Sequence, residues 1–308
     1  MKLDSATPLL ACLLLGLPAL TLAKETAPVY VGVLESFRTS DHLPVSSHPH
    51  VRIAFQWENG EWKHMKDDFN TQESLATTSR YYPASVQWTV VFDGRRIGMI
   101  TSRDPGRLKA YGDVGTQIIT SKPADISKIR IGVSRFDYMG EAARTRPLLL
   151  VSSPNYIDPE HWKPTTLSAA EKARAIKEFR KQVPKLDQCD QPEQPPIRWI
   201  SYPDRDIKFL SRFRSGRGEL VYGMELKYVA STCQWFDDPV FYDYWYAMRP
   251  DGTLHLLGSQ MNPIDAADLN GNGASEWVFQ TARGEDDEGY KLFYNDFRKS
   301  VWFQWSYH

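Results

Sequence analysis

Apolar and polar positions alternate along most of this chain, and the alternation has a period of two. Val51-Arg52-Ile53-Ala54-Phe55-Gln56-Trp57 leads into Asn59-Gly60 and resumes at Trp62. Val86 to Phe92 leads into Asp93-Gly94 and resumes from Arg95 to Thr101, and Tyr244 to Met248 leads into Asp251-Gly252 and resumes from Leu254 to Leu257. In each case β-branched or aromatic residues flank an x-Gly pair. Such a pair tolerates the positive φ of a hairpin turn whose twist matches that of its strands. Further strands are expected over Val29 to Leu34, Gln117 to Thr120, Ile129 to Ser134, Leu148 to Ser152, Ile207 to Phe213, Glu219 to Val229 and the aromatic-rich tail. The pattern predicts a mostly β chain built of antiparallel hairpins.

One segment has a different period. Ser168 to Gln182 opens with Ser168 and Glu171 in the S-x-x-E spacing of a capping box, and helix-forming Ala, Glu, Lys and Arg fill it. Ala169, Ala173, Ile176 and Phe179 recur at helical spacing and predict a buried face. The Pro- and Gln-rich stretch from Val183 to Pro196 reads as a connector. Residues 24–308 are read as a single large β domain, with a subdivision near 160–196 as the alternative. The hairpins are compatible with the four-stranded blades of a β-propeller, at roughly 40–50 residues per blade. Two packed β domains fit them equally well.

Residues 1–23 change the expected compartment. Lys2, the apolar run from Leu9 to Leu22 and the small-x-small end Thr21-Leu22-Ala23 form a removable export signal. Leu9-Leu10-Ala11-Cys12 resembles a lipobox, but the apolar stretch runs on past Cys12 to Ala23, where a lipobox cysteine should end it. Gly16 and Pro18 break the run as a membrane span, so the mature chain is expected to have no transmembrane segment. The destination is periplasmic or secreted. There an even pair of cysteines, Cys189 and Cys233, is expected to form a disulfide, worth roughly 4 kcal/mol for a loop of about 45 residues. Two buried thiols are the alternative. The mature chain carries no N-x-[ST] sequon, which favours a bacterial periplasm.

Composition narrows the classes further. Charged residues are 24% and hydrophobic residues 42% of the 308, enough for a packed core. The formal charge is −1, and no Lys- or Arg-rich run interrupts it, so counterion-driven nucleic-acid binding is not expected. The G-x-S-x-G, S-x-x-K and H-E-x-x-H signatures and a phosphate-cradling glycine loop are all absent from the sequence.

The most specific chemistry lies in Asp268-Leu269-Asn270-Gly271-Asn272-Gly273-Ala274-Ser275-Glu276. Side-chain oxygens at the first, third, fifth and ninth positions, with the Ala274 carbonyl, form the donor set of a hard cation. Calcium suits this better than magnesium because it accepts a flexible all-protein cage. An EF-hand would need an acid at its twelfth position, where Phe279 stands, and the residues after Glu276 read as strand. The loop should therefore join two strands. The alternative is an Asn/Gly-rich turn that holds itself by side-chain-to-backbone bonds. The segment Ile264 to Gln280 resembles the D-x-[DN]-x-[DN]-G-x-x-[DE] loop of FG-GAP and VCBS-type repeats, as in integrin-α-like propellers. The resemblance implies calcium ligation by Asp268, Asn270, Asn272 and Glu276, and it implies a propeller. It covers one copy, with Asn in place of Asp at two positions. Two charged ligands imply weak affinity, on the order of 10⁻⁴ to 10⁻³ M.

Other clusters have simpler readings. His48-Pro49-His50, with His42 and His64 nearby, has zinc-like spacing but a loop composition. Glu285-Asp286-Asp287-Glu288 reads as a hydrated turn, and so does Asp237-Asp238-Pro239. Phe241-Tyr242-Asp243-Tyr244-Trp245-Tyr246 puts aromatics on both faces of a strand, where core packing outweighs sugar stacking. The sequence therefore points to an exported, non-catalytic binding or interaction module of the cell envelope, with a protein or glycan partner. The alternative is a secreted hydrolase of glycan or peptidoglycan that uses acids such as Asp243 or the 285–288 cluster.

Overall fold

A computed structural model describes residues 27–35, 50–67, 78–106, 113–121, 147–154, 156–188, 198–226, 243–283 and 287–306. The expected export signal, Cys189, Cys233 and the segment from Ile129 to Ser134, expected as a strand, lie outside the described residues.

The N-terminal strands are β1 (Val29–Glu35), β2 (His50–Glu58), β3 (Glu61–His64), β4 (Ser85–Phe92), β5 (Arg95–Arg103), β6 (Thr116–Ile119) and β7 (Leu148–Val151). Six of them run in the order β1-β7-β4-β5-β6-β2, and pairing of β1 with β2 closes the ring. Every pairing is antiparallel. β3 extends the ring as a hairpin partner of β2 through Asn59 and Gly60, whose φ values of 54° and 81° are those the x-Gly signal anticipates. Closure needs a bend, and β1 supplies one as a register shift between Val31 and Gly32. A Cβ at Gly32 would stand 3.0 Å from the Arg52 carbonyl oxygen and 3.3 Å from the Trp88 ring, so a larger residue there would need its neighbours to give by a few tenths of an ångström. The barrel core includes Val31, Val33, Ile53, Phe55, Trp88 and Val90. A polar chain crosses it: Trp88 Nε1 donates to Ser102 Oγ at 2.7 Å, Ser102 Oγ to Gln117 Oε1 at 2.6 Å, and Gln117 Nε2 to the Pro83 carbonyl at 2.6 Å.

The C-terminal strands β15 (Met261–Ala267), β16 (Glu276–Arg283), β17 (Asp287–Tyr294) and β18 (Lys299–Ser306) form a four-stranded antiparallel meander. A five-stranded sheet of order β14-β13-β12-β11-β8 is made of β8 (Lys163–Pro164), β11 (Ile207–Arg214), β12 (Leu220–Leu226), β13 (Asp243–Met248) and β14 (Leu254–Ser259). Alternation then dictates the stacking. Val278, Tyr290, Leu292, Phe303 and Trp305 of the meander join the barrel core, while Trp277, Phe279 and Phe293 face Phe213, Val221, Trp245 and Ala247 of the five-stranded sheet. The opposite face of that sheet, with Tyr222, Met224, Tyr246 and Met248, packs against Phe179 and Ala175 of α1 (Ala169–Gln182). The layers are barrel, meander, five-stranded sheet and helix. A short pair, β9 (Leu186–Gln188) with β10 (Arg198–Ile200), follows the helix.

The mostly β class with one helix is therefore present, but the propeller is not. Blades need radial repetition, whereas here six strands close on one another and the meander occurs once. Both arms of the capping box form, with Glu171 N–H donating to Ser168 Oγ at 3.3 Å and Ser168 N–H to Glu171 Oε2 at 2.7 Å. The buried helix face differs from expectation: Ala175 and Phe179 are buried with Ile176 beside them, and Ala169 and Ala173 are exposed. Short alanines give a weak periodic signal, and bulky Phe179 sets the rotation of the helix.

Candidate functional site

The Asp268–Glu276 loop joins β15 to β16, as its position between strand signals requires. Ala267 pairs with Glu276 at its base. From Asp268 the backbone N–H donates 3.0 Å to the Ile157 carbonyl, forming an isolated bridge that ties the loop to the segment leading into β8. The barrel contributes Trp62 of β3, whose Nε1 donates 3.2 Å to Glu276 Oε1. The loop therefore sits where the barrel, the meander and the 156–164 segment meet.

Within it, the short side chains serve as acceptors. Asp268 Oδ1 accepts from the N–H groups of Gly271 at 2.7 Å and Asn272 at 3.0 Å, and Oδ2 accepts from Gly273 at 2.8 Å. Asn270 Oδ1 accepts from Asn272 N–H at 3.0 Å, and Asn272 Oδ1 from Ala274 N–H at 2.8 Å. Gly271 and Gly273, at φ 80° and 86°, supply the left-handed steps that let the backbone turn its N–H groups inward. Glu276 closes the ring: Oε2 accepts from Leu269 N–H at 2.8 Å and Oε1 from Asn270 Nδ2 at 2.8 Å. Asp268, Asn270 and Glu276 are thus brought together, while Asn272 and Ala274 occupy the outer turn. These are the bonds of a self-held turn. Asp268 Oδ1 and Glu276 Oε1 each accept two donors, whereas Asp268 Oδ2, Asn270 Oδ1, Asn272 Oδ1 and Glu276 Oε2 each accept one and keep a second lone pair.

The electrostatics of the loop are unusual. Asp268 is 4% and Glu276 2% exposed. All the donors to these two carboxylates are neutral, and among the described residues no Lys, Arg or His pairs with either. Burial pushes the Glu276 carboxyl up to about 8, and the nearby Asp268 charge adds to the rise, against the lowering effect of its N–H donors. Three further contacts surround the loop. Ser275 Oγ donates to Asp158 Oδ1 at 3.3 Å, Trp162 N–H donates to Asp158 Oδ2 at 3.1 Å, and Arg217 Nη2 donates to the Gly273 carbonyl at 3.3 Å. Neither Trp62 nor Asp158 carries a local sequence signal for this role, because each arrives from a distant strand or segment.

The remaining expectations distribute differently. His50 does not share a site with His64: its Nε2 lies 2.7 Å from Glu35 Oε2, while His64 Nδ1 lies 3.3 Å from Asp67. His42 and His48 lie outside the described residues. No group of three His, Cys, Asp or Glu side chains able to hold a metal occurs among the described residues. Of the acidic run, Asp287 and Glu288 begin β17, and Glu285 and Asp286 lie outside the described residues. Asp237 and Asp238 are likewise outside. Trp245 and Tyr246 are buried in opposite faces of the five-stranded sheet, so these aromatics are core.

Sequence reading also misses a buried ion-pair cluster between barrel and meander. Arg52, 1% exposed, donates from Nε to Glu35 Oε1 at 2.7 Å and from Nη1 to the Val114 carbonyl at 2.5 Å. Its guanidinium lies 3.9 Å over the Trp305 ring, and Tyr290 Oη donates to Glu35 Oε1 at 2.5 Å. Burial opposes ionisation of Glu35, but the Arg52 charge and the bonds from His50 and Arg52 outweigh it and hold the carboxyl at about 2. The alternation that predicts β2 gives Arg52 no distinguishing mark.

No family model matches the chain, no curated protein matches it in sequence, and no solved structure matches its fold.

Proposed function

We propose that this protein is an exported, non-catalytic binding or interaction module of the bacterial cell envelope whose β15–β16 loop takes up calcium. The observation that carries the reading is the pair of buried carboxylates, Asp268 and Glu276, without a cationic partner among the described residues. Two such charges in one loop are costly, and they are relieved either by a proton or by a bound cation. Asp268, Asn270, Asn272, the Ala274 carbonyl and Glu276 are the residues that would hold the ion. Calcium would supply charge compensation and rigidity, fixing a loop to which the barrel, through Trp62, and the 156–164 segment, through Ile157 and Asp158, both attach. The likeness to FG-GAP and VCBS-type loops supports the same reading at these positions.

Calcium titration followed by thermal melting tests it. At tenfold excess over Kd, binding to the folded state alone adds about 1.4 kcal/mol, which raises Tm by roughly 2 °C in a chain of this size. An unchanged midpoint at several millimolar calcium refutes the proposal.

The rival reading, a secreted hydrolase, draws on one carboxylate pair. Asp243 of β13 stands opposite Glu225 of β12 in register, and burial, with Glu225 adding to it, raises the Asp243 carboxyl. A buried carboxyl raised in this way is what a general acid needs. Hydrolysis of peptidoglycan or a model glycan that vanishes in Asp243→Asn, with Tm unchanged, would favour the rival.

A further inference from the structure

Beside the loop, a trough follows the seam between the barrel and the five-stranded sheet. One wall is the β4–β5 turn, Asp93-Gly94, in left-handed conformation at φ 51° and 71°. Its Gly94 N–H donates 3.1 Å to Asp265 Oδ1 on β15, which fixes the turn to the meander. The other wall is the 156–164 segment. There Asp158 accepts the Trp162 N–H at 3.1 Å, and His161 stands in the left-handed region at φ 51°. Between them lies an open hollow of about 810 Å³, and a neighbouring hollow of about 600 Å³ shares its His161-to-Pro164 wall and runs on to Ser215. Each is the size of a ligand site. The walls are held by backbone bonds, so the trough is preorganised.

Its chemistry is cationic at the surface. Arg95 and Arg96 from β5 and Lys163 from β8 line the first hollow with His161, and all four are exposed. Among the described residues, none of these four side chains has an ion-pair partner. The opposing acids are Asp93 and Asp158, and the Asp158 oxygens are occupied by Trp162 N–H and Ser275 Oγ. In the second hollow Arg214 is engaged by Glu171 at 3.0 Å. Ile157, 61% exposed, adds an apolar surface beside the charges.

We infer that this trough binds an acidic oligosaccharide, a chain of sugars bearing carboxylates. Guanidinium forks match carboxylates in a bidentate way. Two hollows in line suit a short chain better than a single small anion, and exposed Ile157 offers the C–H faces of a sugar ring a contact. A peptide adding as a strand is disfavoured, because the edge strand β8 is two residues long and Pro164 has no N–H to donate. A nucleic-acid strand presents phosphates instead of carboxylates, and titration with a DNA hexamer separates the two. The inference rests on the binding-module part of the proposed function and names its ligand class. It does not depend on calcium.

The test is calorimetric titration of the whole mature protein in EDTA with hexagalacturonate. Maltohexaose, hexaglutamate and a single-stranded DNA hexamer serve as comparisons. Binding of hexagalacturonate that falls at least tenfold in the Arg95→Gln/Arg96→Gln double variant and weakens in Lys163→Gln supports the site; both variants change exposed side chains, so each should keep the wild-type melting curve. Absent binding at millimolar hexagalacturonate, equal binding of maltohexaose, tighter binding of hexaglutamate or DNA, or affinity unchanged in the variants overturns it. Loss of this binding result with the calcium shift intact removes the trough alone, and the reverse outcome removes calcium alone.

Discussion

Replacing Glu276 by Gln should flatten the pH dependence of stability in calcium-free buffer. The folded-state carboxyl sits at about 8, above the ordinary 4.5, so the folded chain holds this proton more tightly than the unfolded chain. The stability it contributes is therefore complete below the unfolded value and is lost as pH climbs through the folded one. Between about pH 5 and pH 8 the loss is on the order of 3 kcal/mol, since each tenfold difference in proton affinity between the two states corresponds to about 1.4 kcal/mol. For a chain of this size, with an unfolding entropy of about 2.1 cal/mol/K per residue, that is roughly 5 °C in Tm. Glu276→Gln carries no charge at any of these pH values, so its share of the slope should vanish. Its absolute stability should also fall, by about 1–3 kcal/mol, because an amide nitrogen would meet the Leu269, Asn270 or Trp62 donors that the carboxylate now accepts. The slope and not the level is the diagnostic. Scanning calorimetry across this pH range, in EDTA and again with calcium, measures it, and calcium should flatten the wild-type curve by occupying the same oxygens. Identical slopes for wild type and variant in EDTA would refute the reasoning.

Three further perturbations follow from the packing. Glu35→Gln leaves Arg52 buried without its counter-charge and should cost about 3–5 kcal/mol in denaturant unfolding at neutral pH; because the folded carboxyl sits at about 2, the wild type should lose this contribution as pH falls from about 4.5 toward 2, and the variant should not. Gly223→Ala puts a methyl 2.8 and 2.9 Å from the Trp245 ring between two packed sheets, with an expected cost of about 1–3 kcal/mol by chemical denaturation. Ser168→Ala removes an acceptor from the capping box and should lower stability by about 1 kcal/mol; a loss below a few tenths would show that the helix end is held by packing alone.

Much of the secondary structure is written locally. The pairs Asn59-Gly60 and Asp93-Gly94 adopt the left-handed angles their residue types permit, and Ser168 with Glu171 caps the helix, because each depends on neighbours within four positions. The Asp268–Glu276 loop is legible for the same reason: its glycines and short oxygen side chains encode its own internal bonds. What alternation cannot state is which sheet a strand joins. The pairing of β1 with β2 closes a barrel across a segment of chain that carries no pairing code, and it turns expected blades into a ring and stacked layers. The charge on Arg52, the placement of Trp62 over Glu276 and the seam trough likewise exist only once distant strands meet. Their energies come from burial and from contacts between residues far apart in the chain. Sequence alone thus determined the hairpins, the helix and the acceptor-rich loop, whereas the tertiary structure decided the barrel closure and the burial of the two carboxylates, because desolvation belongs to a packed environment and not to a residue type.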